Sequence, residues 1–368
     1  MRRFETLDGL RGVAAIVVMV MHASETAHLS LFRNGGLAVD FFFILSGFVL
    51  AHAYTGRAGL TFGPFMLKRL VRLYPMFLFG LMLGAVALFV AIAAGTTTLS
   101  PAWGAVSVAL NLVYLPFFNA FAVTPMGGAP VVGGVFPANP PQWSLHFELV
   151  ANLFFLTLLR CSTRVLAAIS LASLVLLVAF ARYVEHRSGV PGLSIFMGWS
   201  TGNFIGGFPR VMYGFVAGMV LHRAVSSRTF DRVEAALARV PLAEIAIMAA
   251  IAVVLGFGPD RLRGAYHLAV VLVLAPVLVF AGAAVEPPAG RRMALVKWLG
   301  WISYPIYCVH VPVLMLLGSA AQAGYLPVSA VLPLTIVLAF VLAAIGAAWF
   351  DEPVRARINA WLKQRRTA

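Results

Sequence analysis

The chain is a succession of apolar runs separated by short polar, mostly basic connections. Ten runs stand out, roughly at 10–29, 36–55, 75–94, 143–160, 164–182, 208–223, 241–258, 265–285, 298–319 and 329–350. Most approach the ~20 residues that a helix needs to cross the hydrocarbon core of a bilayer. Pro and Gly inside several runs are no objection, because neighbouring membrane helices can satisfy the backbone groups they free. Residues 101–118 are also apolar, but Pro101 precedes them and Pro116 falls within them, so they predict an interfacial or re-entrant helix. Residues 64–74 (PFMLKRLVRLY) predict an amphipathic cytoplasmic helix leading into the third run, with Lys68, Arg69 and Arg72 sharing one face. The pattern predicts an all-α, polytopic integral membrane bundle of about ten transmembrane helices, a single domain over 1–368 whose residues 351–368 form a basic tail.

Composition agrees: 61% of residues are hydrophobic and 11% charged, against about 25% charged in soluble domains. The net charge of +14 invites a nucleic-acid partner, but the basic residues lie between the apolar runs and not in one patch. That distribution is what the positive-inside rule produces, so no nucleic-acid partner is expected. With the N-terminus inside, 21 of the 27 Lys and Arg fall in cytoplasmic segments, while Arg33, Arg182, Arg187, Arg210, Arg261 and Arg263 fall outside. Both termini are therefore expected in the cytoplasm. Arg2 and Arg3 ahead of the first run resemble a signal peptide, but no small-residue cleavage pattern closes it, and a retained first helix is expected. Cys161 and Cys308 suggest no disulfide framework.

Polar residues within the runs are costly in a membrane and are candidate functional groups. Arg11 and His22 share a face of the first helix, about 16 Å apart, which puts His22 near the midplane. The second run carries Asp40 and Ser46, the fourth Trp143, Ser144 and Glu148, and the ninth Tyr304 and His310. His22, Ser46, Glu148 and His310 are expected at similar depth from four helices. Each has a plainer reading. A histidine can bond neighbouring helices, Glu148 can pair with an arginine, Ser46 beside Gly47 can serve packing, and Lys68, Arg69 and Arg72 can set topology. A midplane histidine suits general-base catalysis, and a carboxylate can orient it. A basic cluster at the cytoplasmic mouth suits a phosphorylated ligand. An acyl-coenzyme A, with phosphates at one end and a long thin arm at the other, has that shape.

The segments LDGLRG (7–12) with His22, GLAVDFFFILSGF (36–48), KRLVRLYP (68–75), QWSLHFEL (142–149), ISYPIYCVHVPV (302–313) and DEPVR (351–355) together resemble the membrane-bound acyltransferase 3 family, which includes O-antigen and exopolysaccharide O-acetylases. The resemblance covers nearly the whole chain, with the pieces in the family's order. It implies a ten-helix core that moves an acyl group, commonly acetyl, from acyl-CoA to a hydroxyl of a carbohydrate or lipid-linked glycan. It implies His22 as the catalytic base, with Glu148 or another partner orienting it, and Arg11, Lys68, Arg69 and Arg72 on the donor side. Acyl-CoA is then a co-substrate, with no permanently bound cofactor and no metal, and the site is the bacterial cytoplasmic (inner) membrane. Two departures matter. Many members have a second acidic residue where Leu149 stands here, and some carry a C-terminal esterase-like domain, whose absence from this sequence implies direct transfer to the acceptor. A transporter or flippase of a polar or lipid-linked substrate is the alternative, because it too needs midplane polar groups. A purely structural scaffold would leave the membrane histidine and Glu148 unexplained.

Overall fold

The computed structural model describes residues 4–119, 123–126, 129–188, 193–259 and 263–367. Arg2, Arg3 and Arg261, which enter the charge asymmetry, lie outside them.

The described chain is an α-helical membrane protein, and each of the ten apolar runs is helical. The first three long helices are α1 (Glu5–Thr26), α2 (Ala38–Tyr54) and α3 (Phe62–Ala93), and the short α4 (Pro101–Leu112) follows. A small antiparallel hairpin, β1 (Val123–Met126) and β2 (Ala129–Val132), precedes α5 (Gln142–Arg160), α6 (Thr163–Ser188), α7 (Gly207–Ser226) and α8 (Asp231–Leu237). Next come α9 (Ala243–Gly256), α10 (Arg263–Ala269) and, after a π turn over Val270–Leu274, α11 (Ala275–Ala284). The last helices are α12 (Arg291–Gln322), α13 (Val328–Ile345) and, after a second π turn at Gly346–Asp351, α14 (Glu352–Thr367).

Among the described residues, eight helical segments are long and apolar enough to cross a membrane. Of the other two expected spans, α5 carries Glu148, and α9 has 14 residues, about 21 Å against a core of ~30 Å. Helix α4 has 12 residues, too few to cross, so it fits an interfacial position. It starts where Ser100 caps the Trp103 amide and Pro101 takes the first turn, whose amides have no helical partner.

Two expected boundaries differ. The amphipathic helix and the third span are one helix, because α3 runs 32 residues through Pro75. Likewise α12 starts seven residues ahead of the apolar run, at Arg291. The basic first turns of α12 project past its apolar run and are invisible to a hydropathy pattern. Helix α1 ends at Thr26, so His22 lies one turn from its end and not at its middle.

Helix α12 is the axis of the bundle, with 83% of its apolar window buried. It packs against α1, α3 and α13, while α2 packs on α7 and α7 on α6. Close approach explains two glycines. A Cβ on Gly12 would overlap the Leu299 carbonyl of α12, and one on Gly47 would overlap the Phe215 carbonyl of α7. Proline in α12 has a local cost that is met locally. Pro312 has no N–H for the Cys308 carbonyl one turn earlier, and the Asn139 side-chain amide donates to that carbonyl at 2.7 Å.

The α2–α7 interface also carries a buried ion pair. Arg210 donates through Nε and Nη2 to the two oxygens of Asp40 at 2.8 and 2.7 Å. Its other donors reach the Met197 and Gly36 carbonyls, and the Trp143 ring lies 5.3 Å from the guanidinium. Arg210 is therefore a core side chain and not the loop cation that charge counting takes it for.

Candidate functional site

A cavity of about 830 Å³ opens among the N-terminal halves of α1, α3, α5 and α12, the length of α2, the second π turn and the start of α14. Its lining brings together Arg11, Ser46, Arg69, Arg72, Ser144, Glu148 and Tyr304, all singled out in the sequence. The Glu148 carboxylate accepts from Arg69 Nη2 at 2.7 Å and from Ser46 Oγ at 3.0 Å. Arg11 is tied to α12, with Nε donating to Ser303 Oγ at 2.8 Å and Nη2 to the Gly300 carbonyl at 2.9 Å. Tyr304 donates to the Leu73 carbonyl at 2.6 Å.

The cavity's charges are arranged unevenly. Every carboxylate in the lining has a basic partner: Asp8 with Arg11 (3.1 Å), Glu148 with Arg69 (2.7 Å), Glu5 with Lys297 (3.8 Å) and Asp351 with Arg355 (2.8 Å). Arg72 lines the same cavity and makes no hydrogen bond or ion pair among the described residues. Arg69 is buried and its Nε has no partner. The cavity thus offers an unpaired guanidinium and a spare buried donor side by side, an arrangement suited to an anionic group.

His22 and His310 lie beyond the cavity's inner end. Ala15 and Tyr307 line that end, His22 is seven residues past Ala15 on α1, about 10 Å, and His310 three past Tyr307 on α12, about 5 Å. The Tyr307 hydroxyl bonds to Ser144 Oγ at 2.6 Å, and its ring sits 5.9 Å from the His310 ring. His22 Nδ1 is 3.1 Å from His310 Nε2, and the two rings are nearly parallel. His310 Nδ1 is 3.0 Å from the Ile306 carbonyl.

The expected convergence of four side chains is therefore two separate sets. Ser46 and Glu148 join Arg69 in the cavity, and the two histidines join each other. The ring partner of His22 is His310, while Glu148 is engaged by Arg69 and Ser46. Two further candidates serve the fold: Asp40 is the buried partner of Arg210, and Trp143 stacks under that guanidinium. Lys68 is exposed and does not line the cavity, because it falls on the outer side of α3 where Arg69 and Arg72 face inward. Asp8, Lys297, Tyr307 and Arg355 enter the lining unforeseen. Asp351 and Arg355 sit at i and i+4 within the DEPVR segment, a spacing that signals a helical pair.

A family model described as an acyltransferase domain matches residues 4–351. The chain is 33% identical over 194 residues to "Protein 2 in picA locus" of Rhizobium radiobacter, covering 49% of this chain and 96% of that protein. It is 28% identical over 240 residues to "Acyltransferase MdmB" of Streptomyces mycarofaciens, covering 60% of this chain and 57% of that one. It is 25% identical over 372 residues to "Putative peptidoglycan O-acetyltransferase YrhL" of Bacillus subtilis (strain 168), covering 95% of this chain and 54% of that one. The chain thus spans little more than half the length of the latter two relatives. No solved structure matches.

Proposed function

The chain belongs to the acyltransferase-domain family, and from that premise we propose that it transfers an acyl group, acetyl first among candidates, from cytosolic acyl-CoA to a hydroxyl of a carbohydrate or lipid-linked glycan at the bacterial cytoplasmic membrane. The observation that carries the reading is the cavity, with its acids all paired and Arg72 without a partner among the described residues, ending close to a histidine pair. Arg72 and Arg69 would hold the donor's phosphates, with Glu148 keeping Arg69 in place. The acyl-bearing arm would run inward past Ser144 and Tyr307.

His22 would take the acceptor hydroxyl's proton. The alkoxide oxygen would bond to the thioester carbonyl carbon, and the C–S bond would break. Coenzyme A would leave as its thiolate and recover the proton from the imidazolium. The name of the Bacillus subtilis relative supports a glycan acceptor. The test compares surface glycans, by intact mass or NMR, from cells with and without the gene, and follows label from acyl-CoA with the purified protein. An acyl ester that disappears with the gene, and label that reaches a glycan hydroxyl, are expected. Unchanged glycans together with no label transfer would overturn the proposal.

A further inference from the structure

A histidine that acts as a base needs one ring nitrogen bare and facing the acceptor, and a neutral ring carries its single proton on either nitrogen. Hydrogen-bond partners decide which one. Here they form a chain that begins at a backbone carbonyl. The Ile306 oxygen can only accept, and it lies 3.0 Å from His310 Nδ1, so that nitrogen carries the proton. His310 Nε2 is then bare and can only accept. It lies 3.1 Å from His22 Nδ1. Two bare nitrogens cannot bond, so His22 Nδ1 carries its proton and His22 Nε2 is left with the lone pair.

We infer that His310 is a positioning residue that fixes the tautomer of His22, makes His22 Nε2 the basic nitrogen and shares the positive charge the base acquires. The inference rests on the acyltransferase reading above. His310 itself is an unsuitable base, because both of its nitrogens are engaged and its side chain is fully buried. His22 is half-buried, with one nitrogen uncommitted among the described residues. When His22 Nε2 gains a proton, its Nδ1–H bond to His310 becomes charge-assisted and stronger. That second proton can shift toward His310 Nε2 while His310 Nδ1–H stays on the Ile306 carbonyl. Two parallel rings joined by that bond then hold the charge that a carboxylate holds in a Ser-His-Asp arrangement. Among the described residues no carboxylate bonds to either ring.

The test uses the full-length protein and two substitutions. His310→Phe removes the acceptor, and His310→Gln keeps an amide oxygen that can take the Nδ1 proton. For His310→Phe, kcat should fall about 10²- to 10⁴-fold, the contribution of a general base lost when its tautomer is wrong, with KM for acyl-CoA unchanged. His310→Gln should recover much of the loss. Nitrogen-15 NMR of histidine-labelled protein, with His22 assigned from a His22→Ala sample, should show Nδ1 protonated in the native protein and the proton shifted to Nε2 in His310→Phe. A folded His310→Phe with native kcat would overturn the inference. So would lost activity with the His22 tautomer unchanged, which would make His310 structural. Should His22→Ala itself retain turnover, the failure would belong to the base assignment and not to His310.

Discussion

The neighbouring arginines 69 and 72 line one cavity but should respond differently to removal. Arg72 has no partner among the described residues, so Arg72→Ala leaves none of them stranded. Its cost should appear only in donor binding. A hydrogen bond to a charged group is worth about 1.5–3 kcal/mol, which corresponds to a ~10- to 150-fold rise in Kd. Arg72 is exposed at the cavity mouth, and the Debye length is ~8 Å at physiological salt, so the lower end applies: roughly tenfold, shrinking as salt rises. Arg69 is different. It is buried and bonds Glu148 at 2.7 Å. Arg69→Ala leaves that carboxylate without its cation. Breaking a buried pair costs ~3–5 kcal/mol, and because Glu148 keeps a fifth of its side chain open to the cavity, the lower figure is expected. Arg69→Ala should lower both donor affinity and thermal stability in detergent. Arg69→Met with Glu148→Gln should restore stability but not affinity. The assay is calorimetric titration with acetyl-CoA at two salt concentrations, beside thermal melts. Native affinity in Arg72→Ala, or native stability in Arg69→Ala, would refute the division of roles.

Asp40→Asn should destabilise by about 3–5 kcal/mol, because Arg210 is left buried with its charge uncompensated; melts of the purified protein check this, and Asp40→Leu with Arg210→Met should recover most of the loss. Gly47→Leu should abolish folded protein in the membrane, since the Phe215 carbonyl occupies the space of any side chain there; native expression and melting temperature would contradict it. A reporter fused after Ala368 should read cytoplasmic and one inserted at Gly134 should read external; ends on opposite sides of the membrane would sink the even span count.

Hydropathy located the helices because burial in lipid demands long apolar runs, which a single sequence displays. It could not see what lies outside lipid. The basic first turns of α12 and the polar α14 were not seen as helix, yet they line the cavity through Lys297 and Arg355. Pairings across the sequence were equally hidden. Asp40 meets Arg210 at a separation of 170 residues, and His22 meets His310 at 288. Asp40, His22 and His310 were visible as unusual polar groups and Arg210 only as an outer-segment cation, and the partners depend on which helices pack together. Helix periodicity placed Arg11 and His22 on one face, and both do face α12. It gave no reason to prefer His310 over Glu148 as the neighbour of His22.

Among the polar contacts that join helices α1 and α12, two lie far apart along both helices. Arg11 meets the Gly300 carbonyl, and His22 meets His310. The intervals are eleven residues on α1 and ten on α12, so both helices advance about 15–16 Å between the joints and stay in step. The pair behaves as a gauge block, with one face at the cavity and the other at the histidines, and Gly12 against Leu299 leaves no slack between its halves. In the proposed reaction the helical rise would then fix how far the base His22 stands from Arg11 in the cavity lining.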